Sequence, residues 1–254
     1  LPISPVNVTY RIEAELDPET RGIKGREEIR WRNATGEPAA ALPMHLYLNG
    51  FANQGTTWMR ESAPRRPGES ELLKRNPDPW GYMEPTAITQ RVEGVERDAS
   101  WRPIQPDDGN PLDRSLGEIT LAAPVAPGEE VVLTITFEGR LPEPMARTGG
   151  GRGYFLVGQW YPKIGVIEPP GVRHAPAARR AARQFHGPTE FYADFADYDV
   201  TFATPPGFLV GATGRAQGDP APRPDGKVAV RYAQRAVIDF ALVASNGLVD
   251  RWQK

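Results

Sequence analysis

An all-β fold, an antiparallel sandwich of two sheets with few or no long helices, is what this sequence predicts. Three observations carry that expectation. Several segments alternate apolar and polar residues with a period of two, as a strand does with one face on a core and the other in water. Glycine (26) and proline (27) together make up about a fifth of the 254 residues and punctuate those segments as turns do. No segment of ~15 residues sustains the 3.6-residue period of an amphipathic helix.

The opening segment is the clearest strand. Val6, Val8, Tyr10, Ile12, Ala14 and Leu16 alternate with Asn7, Thr9, Arg11, Glu13 and Glu15. Turn chemistry follows at Asp17-Pro18-Glu19-Thr20-Arg21-Gly22. A second strand runs from Ile23 to Arg32, so the two read as a hairpin. Asn33 to Pro38 breaks the chain, and Leu42–Leu48 reads as a third strand. Residues 50–90 lack periodicity and read as an irregular excursion with at most a short helix near Glu69–Arg75. Further strands are expected over Thr86–Glu96, Glu118–Ala122 and Glu130–Glu138, the last two separated by Pro127-Gly128. Leu141–Gly153 reads as a linker ending in a glycine run. An aromatic stretch, Tyr154–Glu168, comes next, and then an Ala/Arg-rich segment, 172–184, that suits a short helix or a mobile loop. Phe195–Ala203, Phe208–Ala212, Val228–Ala233 and Asp239–Ser245 close the set.

Composition excludes several functions. Thirty basic and 32 acidic residues give a net charge of −2, so no basic surplus points to nucleic acid or to an anionic membrane. Cysteine is absent, which removes disulfides, thiolate metal sites and a cysteine nucleophile. No run approaches the ~18 apolar residues of a membrane span. The chain begins with Leu1 rather than Met, so its N-terminus is expected to have been cut. Compartment stays open between the cytoplasm and export from a bacterial cell.

Chemistry-bearing motifs are sparse. The three histidines, His45, His174 and His186, include no pair at i, i+4 and no HExxH, the helical arrangement that puts two imidazoles on one face with a glutamate base beside them. Ordinary hydrogen-bonded strand and loop histidines are expected instead. There is no G-x-S-x-G nucleophile elbow. Asp107-Asp108 and Glu129-Glu130 are acidic pairs in turn-like, solvated settings. The glycine run 149–153 lacks the Lys-Ser/Thr and the helix of a phosphate cradle. Arg173, Arg179, Arg180 and Arg183 form a basic cluster, read as a solvated face. Two sequons, at Asn7 and Asn33, matter only for a protein exported from a eukaryotic cell. The most distinctive segment is Gly158–Val166: Trp160, Tyr161 and Pro162 lie beside the amide of Gln159, a combination suited either to a cleft wall or to a core strand.

Three ordered segments resemble a known family. Gln159-Trp160-Tyr161-Pro162-Lys163-Ile164-Gly165-Val166, Glu190 to Val200, and Pro206 to Gly214 are similar to the amino-terminal domain of the aminopeptidase N family of zinc metallopeptidases (gluzincins), in its bacterial branch. The opening hairpin, Leu46–Asn49 and Asp239-Phe240-Ala241 fit as well, so the resemblance spans nearly the whole chain. It implies a saddle-shaped, noncatalytic β domain over 1–254, packed against a catalytic domain that follows residue 254 and carries zinc on its HExxH and a distal glutamate. On that reading this chain holds no catalytic residue, no metal and no cofactor of its own. Its partners are that downstream domain and the parent's peptide substrate. The isolated chain is expected to be inactive and to aggregate to some degree through an apolar patch. Gln159, Trp160 and Tyr161 are the candidate residues at the substrate cleft. One departure stands out: counting back from Pro162, the family's substrate-binding Gln-x-Glu motif falls in the glycine run, so that role does not transfer. A rival reading is a β-sandwich binding or scaffolding module of a parent that has lost catalysis. A self-standing lectin sandwich is a third, since fold alone does not fix function.

Overall fold

The computed structural model describes residues 6–62, 78–143 and 147–247. Its strands are β1 (Val8–Asp17), β2 (Gly22–Arg32), β3 (Ala39–His45), β4 (Tyr82–Val92), β5 (Val95–Asp98), β6 (Ser100–Pro103), β7 (Leu116–Val125), β8 (Glu130–Arg140), β9 (Gly149–Gly151) and β10 (Tyr154–Val157). The second half adds β11 (Lys163–Ile164), β12 (Ile167–Glu168), β13 (Arg179–Arg180), β14 (Ala196–Thr204), β15 (Leu209–Ala212), β16 (Arg215–Ala216), β17 (Ala221–Pro222), β18 (Val228–Val237) and β19 (Leu242–Ser245). The α-helix among the described residues, α1 (Thr57–Ser62), is under two turns long.

The predicted hairpin forms, in the register Val8↔Trp31 to Asp17↔Gly22. Its turn is closed by Asp17, whose carboxylate accepts from the Glu19 amide at 3.0 Å and from the Thr20 hydroxyl at 2.7 Å. The hairpin sits mid-way in a large sheet of order β16-β18-β14-β1-β2-β8-β4-β5, with β17 also on β18. Period-two alternation does what it predicts. Val8, Tyr10, Ile12, Ala14 and Leu16 of β1 are buried, and so are Val131, Leu133, Ile135 and Phe137 of β8. Two smaller sheets, β11-β3-β7-β6 and β15-β19-β10-β9, complete the core. Leu42, Met44 and Ile119 from one and Phe155, Val157 and Leu242 from the other join a single apolar cluster with the inner face of the large sheet. The fold is thus an all-β sandwich. At Gly25 a Cβ would meet the Phe137 ring at 2.5 Å, so the hairpin needs a glycine where that ring crosses it.

Several particulars depart from expectation. β1 pairs with β14 in parallel, Val8↔Ala196 to Glu15↔Ala203; period two is silent on direction, and the intervening chain supplies the long crossover a parallel pair needs. The third strand ends at His45, and Tyr47–Phe51 forms a 3-10 turn instead. Leu46, Tyr47, Leu48 and Phe51 are all buried, and a continuous apolar run does not separate strand from helical turn by period. Asn49 fixes that turn, donating to the carbonyls of Met83 (2.9 Å) and Arg114 (3.0 Å) and accepting from the Met83 amide (2.9 Å). The strand expected over Thr86–Glu96 is a hairpin, bent at Glu93 and Gly94, both with positive φ. The stretch read as a linker carries β9, paired with β10. Gly150 lies against Phe155, where a Cβ would come within 2.1 Å of the ring, so this glycine serves packing. The helix expected near Glu69–Arg75 lies outside the described residues. Segment 172–184 holds a 3-10 turn, Val172–His174, and the short β13.

Candidate binding site

The Gly158–Val166 segment enters the core. Gln159 takes a left-handed φ of 54°, which turns the chain between β10 and β11. Trp160 is fully buried, its ring edge-on to Phe202 at 5.5 Å and its indole N–H donating to the Phe240 carbonyl at 3.1 Å. Tyr161 is buried among Tyr10, Trp160 and Tyr198. Gln159 is buried too, its amide N–H₂ bonded to the Asp239 carboxylate. The structure therefore brings all three predicted site residues together, but inside the chain, as a polar knot rather than a lining.

The sequence reading missed the centre of that knot. Lys163 is buried on β11, and its ammonium donates to Asp239 Oδ1 at 2.8 Å and to Gln159 Oε1 at 3.1 Å. The same carboxylate oxygen accepts from the Phe240 amide at 2.8 Å. The Tyr161 hydroxyl lies 3.1 Å from Asp239 and 2.9 Å from the Tyr198 hydroxyl. With one proton of its own it donates to the carboxylate and accepts from Tyr198. Tyr10 stacks on Tyr198 at 5.0 Å and accepts from the Ile164 amide at 2.9 Å. Burial lowers the pKa of Lys163, and the charge of Asp239 opposes that shift. Burial raises both Tyr161 and Tyr198 above the ordinary phenol range. Asp239 had a signal in the sequence, an acid before Phe240-Ala241, but nothing there linked it to Lys163.

Beside the knot the β3–β11 register sets Lys163 opposite His45. His45 is 1% exposed and stacks on Tyr47 at 4.5 Å, nearly coplanar. Neither ring nitrogen has a hydrogen-bond partner among the described residues, which corrects the expectation of an ordinary bonded histidine. Burial, with the charge of Lys163, lowers its pKa to about 3, so the ring is neutral at physiological pH. His45 and Tyr47 line a cavity of ≈ 270 Å³ together with residues of the 179–192 segment.

Arg179, Arg180 and Arg183 of the predicted basic cluster lie on a solvated face, as expected, and each also meets a carboxylate. Arg179 donates to Glu168 at 2.6 Å, Arg180 to Glu118 and Arg183 to Asp107 at 2.9 Å. His186 spans two carboxylates, Glu61 at 2.9 Å and Asp107 at 3.3 Å. Asp108 accepts from Thr57 (2.7 Å) and Gln184 (2.8 Å). The Asp107-Asp108 pair thus clamps α1 and the 184–187 segment, a structural task. Glu130, from the other acidic pair, meets Arg30 on the sheet surface. Among the described residues no three His, Asp or Glu side chains converge as a metal site. His45 is enclosed without another donor, and His186 is committed to two carboxylates.

No protein-family model and no curated protein matches the chain. Solved structures do. The M1 zinc metallopeptidase from Deinococcus radiodurans aligns with a TM-score of 0.52 at 14% identity, covering 96% of this chain and 43% of that one. A two-domain M1 zinc metallopeptidase mutant bound to L-arginine gives the same values. A Deinococcus radiodurans mutant bound to a Tyr-Ser-Ala substrate aligns at 0.50 with 12% identity, over the same shares. The fold is shared. This chain spans less than half the length of those it matches. No described helix is long and apolar enough to cross a membrane.

Proposed function

We propose that this chain is the noncatalytic amino-terminal β domain of a zinc metallopeptidase of the aminopeptidase type, its catalytic domain following residue 254. One observation carries the reading: 96% of this chain aligns with 43% of an M1 zinc metallopeptidase, as one domain of a larger enzyme would. The sequence resemblance, drawn from separate segments, points to the same family. In this role the chain supplies a wall rather than a nucleophile, base or metal ligand. Zinc, in the following domain, would activate a water for attack on the first peptide bond of the substrate.

The β15-β19-β10-β9 sheet is the face offered to that domain. Tyr154 and Leu209 pair with Ser245 from either side of β19 and are 47% and 40% exposed, so two large side chains flank Ser245 on the solvent face of this sheet. Gln159, Trp160 and Tyr161 back the wall from within. Through Asp239 and Phe240 they tie β11 to the strand that carries this face, and a wall that must hold a substrate in register needs such rigid support.

Reading the coding sequence past codon 254 and assaying the encoded polypeptide tests the proposal. The expected result is an HExxH with a downstream glutamate, and release of amino-terminal residues from peptides that stops on metal chelation. A reading frame that ends, or one with those ligands replaced, would overturn the peptidase assignment in favour of a binding or scaffolding module.

A further inference from the structure

The cavity beside His45 has the makings of a ligand site. Arg179, Arg180 and Arg183 line it. Each is anchored from outside through one nitrogen: Arg179 by Nε to Glu168, Arg180 by Nη1 to Glu118, Arg183 by Nη1 to Asp107. A guanidinium carries five N–H donors in a rigid fork, so each side chain, held by one ion pair, has most of its donors unengaged among the described residues. The three side chains are 46%, 46% and 67% exposed, so their remaining donors are open to solvent and to a ligand.

A second, independent observation comes from His45. It lines the same cavity, is 1% exposed, and has no hydrogen-bond partner for either ring nitrogen. The acid among the lining residues, Glu190, already has both oxygens on Arg147, so it leaves the guanidinium donors free. Aromatic surface from Tyr47 and Tyr192 bounds the remainder. At ≈ 270 Å³ the space suits a compact molecule, near the lower end of small-ligand sites. A planar carboxylate matches the guanidinium fork better than any other common group.

We propose that this cavity binds a small carboxylate, held by the unengaged N–H groups of Arg179, Arg180 and Arg183, with the His45 ring in its wall. The proposal goes beyond the accessory-domain reading. Its test is binding to this chain rather than peptidase activity, so the two fail separately.

With three histidines in the chain, ¹⁵N-edited imidazole NMR resolves His45, assigned by its loss in His45→Gln. The probes are N-acetylglycine, N-acetylglycinamide and inorganic phosphate. N-acetylglycine should shift the His45 signals saturably, with a Kd on the order of 1 mM. The amide should bind at least about tenfold more weakly, as should the carboxylate to an Arg180→Gln/Arg183→Gln double variant. Unsaturable shifts, an equal response to the amide, or tighter binding of phosphate than of the carboxylate would overturn the proposal. The amide and phosphate comparisons use the unsubstituted chain and so do not depend on the double variant folding.

Discussion

Lys163 and Asp239 meet at 2.8 Å across 76 positions of sequence, the ammonium side chain 2% exposed and the carboxylate 28%. The pair fastens β11, a strand of two residues, to the chain entering β19, and Gln159 and Tyr161 complete the bonding of both charges.

Removing one partner should hurt more than removing both. Asp239→Asn leaves a buried ammonium without its counter-charge, and such breaks cost about 3–5 kcal/mol; the partial exposure of Asp239 puts the expectation at about 3. Lys163→Met/Asp239→Asn, which deletes both charges, should recover more than half of that loss. Urea denaturation of the single and double variants measures the coupling. Additive losses would show that the pair does not act as a unit.

Glu27 makes the opposite case. It is fully buried on the inner face of β2, and neither carboxylate oxygen has a hydrogen-bond partner among the described residues. Burial raises its pKa well above the ordinary carboxylate value. The folded state therefore holds a proton that the unfolded chain releases first. Stability tied to Glu27 is full below the unfolded pKa and falls as pH rises toward the folded one. Glu27→Gln should flatten that fall, with its advantage over the parent growing as pH rises from about 4.5. Thermal denaturation across a pH series tests this, and parallel curves for variant and parent would refute it.

The sequence made the hairpin, the β8 strand and β14 readable because each buries one face, and period two records burial. It could not report the parallel β1–β14 pair, since alternation carries no direction. The aromatic stretch was conspicuous for its rings, yet its chemistry depends on Lys163 and Asp239, which only the fold brings together. His45 looked ordinary because isolation is a property of surroundings: its neighbours in space, Tyr47 excepted, are remote in sequence. The acidic pair Asp107-Asp108 looked solvated because its partners Thr57, Gln184 and His186 lie far along the chain.

Two histidines should pull the pH profile in opposite directions. Burial lowers the pKa of His186, but hydrogen bonds and charge from Glu61 and Asp107 outweigh that effect, and the net shift is upward. Its contribution is present below the unfolded value and is lost as pH rises through the folded pKa. His45, with its pKa lowered to about 3, stays neutral in the fold while the unfolded chain takes up a proton. The stability linked to it is present above the unfolded pKa of about 6.5 and falls as pH drops toward 3. His186→Gln should therefore remove a loss on the alkaline side, and His45→Phe, which keeps a ring against Tyr47, should remove one on the acid side. Each effect should leave the other limb of the profile in place, because the two rings have no bonding partner in common. Denaturation midpoints of both variants from pH 4 to 8 decide the matter, and a change on the same limb in both would refute the assignment.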